Sequence, residues 1–125
     1  MHNLIVIPAR GGSVGIKNKN LKLLNKKPLV CHALDLAFKI HGKNSIVLST
    51  DSKKIISVCK KYKKLIIPFI RPKKLSSNSS KISDVIIHLI NFFKKKKKFF
   101  DYLILLEPTC PLRNFKEINS IISDV

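Results

Sequence analysis

The apolar run Leu4-Ile5-Val6-Ile7 passes directly into Pro8-Ala9-Arg10-Gly11-Gly12-Ser13-Val14-Gly15. An uninterrupted apolar run of this length reads as a parallel strand buried on both faces. Pro8 ends the ladder, and glycines beyond it let the backbone approach a ligand more closely than a Cβ permits. A strand emptying into a Gly-rich, basic turn brings N–H groups to an anion, and Arg10 adds a permanent fork-shaped charge suited to phosphate oxygens. The stretch therefore predicts a nucleoside triphosphate site at the C-terminal end of the first strand. It fits neither GxxxxGK[ST] nor GxGxxG.

Downstream, the pattern of strand, loop and helix recurs. Leu21–Leu24 reads as a short extended segment, closed by the turn Asn25-Lys26-Lys27-Pro28. Leu29, Val30, Ala33, Leu34, Ala37 and Phe38 form one helical stripe that stops at His41-Gly42-Lys43-Asn44. Ile46–Leu48 predicts a second strand. A helix capped by Asp51 or Ser52 follows, running to about Tyr62 with Ile55, Ile56 and Cys59 inward. Leu65–Ile70 predicts a third strand, and Arg71–Ser80 a polar loop. Ile82, Val85, Ile86, Leu89, Ile90 and Phe93 mark a third helix, with Lys94–Lys98 as a solvated turn or frayed helix end. Tyr102–Leu106 predicts a fourth strand, Glu107–Asn114 its loop, and Phe115, Ile118, Ile121 and Ile122 the start of a fourth helix.

Four such units predict an α/β fold with a parallel sheet, arranged as a single domain over residues 1–125. Ligands of such sheets bind outside the carboxyl ends of the strands. All three arginines (Arg10, Arg71, Arg113) follow predicted strands, as does Asp51. That distribution is what a phosphate site on one rim produces.

Composition narrows the function classes. The formal net charge is +18, from 25 Lys+Arg against seven Asp+Glu. Almost all of the excess is lysine on predicted helix faces and loops, without the arginine and stacking aromatics of base readers, so nucleic acid is not the expected partner. The three cysteines (Cys31, Cys59, Cys110) show no metal-ligand spacing and read as reduced structural thiols. Neither a membrane span nor a signal-peptide layout is visible, so a cytoplasmic location is expected.

The opening motif, followed by Lys19-Asn20-Leu21, resembles the A-R-x-x-S-K-G-x-x-x-K-N signature of the acylneuraminate cytidylyltransferases, or CMP-N-acetylneuraminic (CMP-sialic) acid synthetases. Three more blocks agree in order: Leu48-Ser49-Thr50-Asp51, Arg71-Pro72 followed by Leu75, and Leu105-Leu106-Glu107-Pro108-Thr109-Cys110-Pro111-Leu112-Arg113. The last resembles the family's L-L-Q-P-T-S-P-L-R. The resemblance implies a Rossmann-like, three-layer sugar nucleotidyltransferase fold. It also implies transfer of CMP from CTP to a nonulosonic (sialic-type) acid for cell-surface polysaccharide, with release of pyrophosphate.

By the same resemblance, Arg10 and Lys19 hold the triphosphate, with Ala9, Gly11, Gly12 and Ser13 forming the loop. Asn20 and Arg71 contact the cytidine, Ser80 lies near base or ribose, and Glu107, Thr109 and Arg113 organise the sugar side. Mg²⁺ is the implied cofactor, with ligands in a C-terminal half that this chain does not include, and a homodimer or a complementary C-terminal half is the implied partner. Val14 stands where the family has lysine, and Glu107 where it has glutamine. The chain ends at Val125, about halfway through the family's usual length. It is thus expected to be a truncated form; the alternative is a catalytically inactive fragment that binds CTP or another polyanion.

Overall fold

The computed structural model describes residues 2–12, 19–76 and 81–108. Strand β1 (His2–Pro8) is its centre, with β4 (Lys43–Ser49) parallel on one side and β5 (Tyr102–Leu105) parallel on the other. The register runs from His2↔Lys43 to Pro8↔Ser49 and from Asn3↔Tyr102 to Val6↔Leu105. Leu4 to Ile7 are all buried, as a strand covered on both faces requires.

Alternation along β1 divides two cores. Ile5 and Ile7, with Ile46 and Leu48 of β4, pack against helix α1 (Leu29–Phe38) and helix α2 (Lys53–Cys59). Leu4 and Val6, with Val47, pack against Val85, Leu89 and Phe93 of helix α3 (Ile82–Lys95). The result is the expected three-layer α/β/α arrangement.

Local chemistry sets the element ends. Between β1 and α1 a two-residue turn joins β2 (Leu23–Leu24) to β3 (Lys27–Pro28). Asn25 and Lys26 there have φ of 52° and 66°, the left-handed pair that matches the twist of a tight hairpin. Helix α2 is capped by Ser52, whose Oγ accepts the Ile55 N–H at 3.2 Å. It ends at Cys59, short of Tyr62, and Ile56 is only half-buried. Tyr62 instead donates its hydroxyl to Asp35 at 2.6 Å and stacks on Phe38. This stacking leaves Phe38 at the rim of the α1 stripe, 38% exposed.

Two other expectations change. Leu65–Ile70 forms no continuous strand, only the isolated parallel bridges Val47↔Ile66 and Thr50↔Ile70 on the outer edge of β4. Pro68 lies between them and has no N–H to continue the ladder. In α3 the buried stripe is Val85, Leu89 and Phe93, whereas Ile82 and Ile90 are 37% and 42% exposed. Of the two readings of the lysine run, the solvated turn holds: Lys97 has φ 59°, its N–H reaches the Lys94 carbonyl, and the Lys98 N–H reaches the Phe93 carbonyl, both at 2.9 Å. That bonding pattern is a Schellman termination. The predicted fourth helix lies outside the described residues.

Cys31 and Cys59 are free and buried. Burial pushes the Cys59 thiol up to about 12, with Cys31 reinforcing the shift and Lys61 opposing it, so Cys59 is an inert packing group at neutral pH.

A side chain at the left-handed Lys97 position costs about 1 kcal/mol relative to glycine. Lys97→Gly is therefore expected to stabilise the chain by roughly that amount in urea unfolding, and an unchanged or lower midpoint would contradict the Schellman assignment.

Candidate nucleotide site at the sheet rim

With the edge segment included, the strands lie in the order 65–70, β4, β1, β5. The chain moves from β1 outward through β4, then returns past β1 to β5. The carboxyl end of β1 is therefore a topological switch point, where open α/β sheets form their ligand crevice.

Four consecutive residues at the end of β4 build this rim. The Ser49 carbonyl accepts the Ala9 N–H at 2.9 Å and Arg71 Nη2 at 2.8 Å, and Ser49 Oγ accepts Arg71 Nε at 3.1 Å. The Thr50 carbonyl accepts the Arg71 N–H at 2.7 Å, and Thr50 Oγ1 accepts the Ser52 N–H at 3.1 Å. Asp51 Oδ1 accepts the Gly11 N–H at 2.8 Å. Ser52 caps α2. Each residue thus joins the end of β4 to another segment or starts the helix behind it.

Ala9 is fully buried and continues the core. Gly11 lies so close to the β4–α2 turn that a Cβ would stand 3.0 Å from Ser52 Cβ and 3.7 Å from Asp51 Oδ1. At Gly12 a Cβ would meet nothing within 4 Å. Asn20, in the short turn Lys19–Leu21, is 8% exposed and donates Nδ2 to the Arg10 carbonyl at 2.9 Å. Lys19 is half-buried beside it in sequence.

Arg71 is 5% exposed, and its side chain donates to Ser49 and to the Leu75 carbonyl, the latter at 3.4 Å. Burial pulls its guanidinium below the ordinary arginine value, Asp51 opposes that, and Arg10 adds to it. Arg10 is half-buried and donates Nη1 to the Ser76 carbonyl at 3.4 Å. Both guanidinium groups are therefore braced on the same 71–76 loop, which is itself tied by Ser76 Oγ to the Pro72 carbonyl at 2.9 Å.

The structure thus brings Ala9, Arg10, Gly11, Asn20 and Arg71 to one rim. Glu107 joins the same end of the sheet, one residue beyond Leu106, whose N–H bonds the Val6 carbonyl at 2.9 Å. Ser13, Val14, Ser80, Thr109 and Arg113 lie outside the described residues. Sequence reasoning left Asp51 open between helix cap and site residue; the structure gives the cap to Ser52 and the loop contact to Asp51. It gave Ser49 no role of its own, although Ser-Thr-Asp-Ser at a strand end offers four side-chain acceptors for orphan N–H groups.

No group of three or more His, Cys, Asp or Glu converges among the described residues, and Asp51 is engaged by Gly11. The described residues do not by themselves fit a Mg²⁺ site. No helix among them is long and apolar enough to cross a membrane.

A parallel sheet covered by helices on both faces, with a glycine-bearing loop at its switch point, defines a three-layer α/β protein. The cytidylyltransferase family model matches residues 4–102, and the chain belongs to that family. It is 39% identical over 113 residues to the CMP-N,N'-diacetyllegionaminic acid synthase of Legionella pneumophila, covering 90% of this chain and 48% of that protein. It is 35% identical over 114 residues to a pseudaminic acid cytidylyltransferase of Campylobacter jejuni, covering 91% of this chain and 49% of that one. The solved structure of CMP:2-keto-3-deoxy-manno-octonic acid synthetase complexed with CTP shares the fold, with a TM-score of 0.77 at 20% identity, covering 99% of this chain and 47% of that one. The chain spans about half the length of each of these proteins.

Gly11→Ala forces the rim and the Ser52 cap apart, with an expected cost of about 1–3 kcal/mol, whereas Gly12→Ala should stay within about 0.5 kcal/mol. Equal melting temperatures for the two variants would contradict the packing of Gly11 on Ser52.

Proposed function

We propose that this chain supplies the nucleotide-binding part of a cytidylyltransferase that activates a nonulosonic acid with CTP, giving the CMP-sugar and pyrophosphate. The observation that carries the reading is Arg10, braced at the switch point beside buried Arg71 in a chain of the cytidylyltransferase family. In this reaction the anomeric hydroxyl of the sugar attacks the α-phosphorus in line, and pyrophosphate leaves. The chemistry asks for positioning and for neutralisation of phosphate charge rather than for a nucleophile on the protein.

Arg10 and Lys19 are assigned the triphosphate, with Gly12 and Ser13 lining its path. Asn20, through the Arg10 carbonyl, fixes the loop that presents Arg10 and faces the cytidine side. Arg71 acts there from a buried position. Three of its five N–H donors go to Ser49 and Leu75, and its charge makes the rim attractive to an anion. Ser80 is assigned to base or ribose, and Glu107, Thr109 and Arg113 to the sugar side. Mg²⁺ would add charge neutralisation at the phosphates.

The chain spans about half the length of the legionaminic and pseudaminic acid relatives, so the part of the reaction assigned to it is the binding of CTP.

Isothermal titration with CTP tests this reading. Arg10→Ala removes a charge-assisted donor and is expected to weaken CTP binding by about ten- to a hundredfold. An unchanged dissociation constant would place the nucleotide elsewhere.

A further inference from the structure

Asp51 has no role in the chemistry assigned above, yet it sits where the two arginines and the Gly-rich loop meet. It is not the cap of α2, because Ser52 Oγ holds the Ile55 N–H. It belongs to no cluster of metal-ligating side chains among the described residues. Its carboxylate is spent on the Gly11 N–H at 2.8 Å, and Gly11 can come so close only because it lacks a Cβ. A backbone N–H held by a carboxylate is a charge-assisted bond, about twice as strong as its neutral counterpart. On a loop that follows Pro8 and has no ladder partner at this point, it is a main determinant of the backbone's course.

Charge gives Asp51 a second part. Arg10 and Arg71 repel each other across the rim, and Asp51 is the acid whose field offsets them at Arg71. With its Oδ1 anchored on the Gly11 N–H at 2.8 Å, the Asp51 carboxylate stands on the same rim as both guanidinium groups.

We propose that Asp51 is a positioning residue of the nucleotide loop. Through the Gly11 N–H it sets the course of residues 9–12 over the end of β1, and it places a negative charge on the rim that receives the anion. The proposal deepens the CTP reading and rests on it for the identity of the anion. Its two parts act in opposite directions on affinity. The acceptor oxygen preorganises the loop and strengthens anion binding, whereas the negative charge competes with the incoming anion and weakens it.

Two substitutions separate these parts. Asp51→Asn keeps an acceptor oxygen for Gly11 and removes the charge; Asp51→Ala removes both. On the ligand-free chain, amide hydrogen exchange at Gly11 should be slow in the parent and in D51N, and at least about tenfold faster in D51A. Titrated with CTP in the absence of divalent metal, D51N should bind about two- to fivefold more tightly than the parent. D51A should bind about two- to tenfold more weakly than D51N. If D51A does not fold, Asp51→Ser, whose hydroxyl is too short to reach Gly11, replaces it.

Unchanged Gly11 exchange in D51A, or tighter CTP binding by D51A than by D51N, would overturn the proposal. Failure of the parent chain to bind CTP would overturn the nucleotide reading instead, and the Gly11 exchange rates would still decide whether Asp51 holds the loop.

Discussion

The hydrogen bonds made by Ser49, Thr50, Asp51 and Ser52 at the carboxyl end of β4 tie together everything that faces the rim. Remove them conceptually, and three segments far apart in sequence lose their common anchor: the loop after β1, the 71–76 loop and the start of α2. The sheet beneath would survive, since its stability comes from the two apolar cores divided by β1. The rim would not keep its geometry. Two arginines share this corner because three carbonyls and a hydroxyl accept their donors.

This arrangement explains why Arg71 is buried and not displayed. A guanidinium removed from water must place its donors on fixed acceptors, and Ser49 and Leu75 provide them. Held by three such bonds, the group is a stationary source of positive potential that needs little reorganisation when an anion arrives. Arg10, less buried and carried by the loop itself, is the better placed of the two for direct contact. The site thus combines a fixed charge behind with a contacting charge in front, which suits binding that relies on electrostatic preorganisation.

Much of this was legible in the sequence, for physical reasons that differ by element. The apolar run Leu4–Ile7 had to be an interior strand, and the Gly-rich turn after it had to lie at the strand's open end. The stripes of α1 and α3 gave their positions, although the exposure of Phe38, Ile82 and Ile90 depended on what packs beside them and not on period. The edge segment Leu65–Ile70 was misread because its β-branched composition outweighed a single Pro68 that interrupts the ladder. In the site, residue types pointed to an anion and the ordered blocks to a family. The division of labour among Ser49, Asp51 and Ser52 was hidden, because all four side chains of Ser49-Thr50-Asp51-Ser52 can accept an N–H and only the tertiary path decides which one each receives. Roles placed on Ser13, Ser80, Thr109 and Arg113 fall outside the described residues.

The central claim is that the nucleotide meets this chain at the β1–β4 rim, despite the much larger lysine charge carried elsewhere on its surface. Amide chemical shifts followed during a CTP titration at physiological salt test it most directly. The account predicts that the largest changes fall at residues 9–12, 49–52 and 71–76, with little change along Lys94–Lys98. Shifts concentrated on the lysine run, and lost on raising the salt, would contradict it.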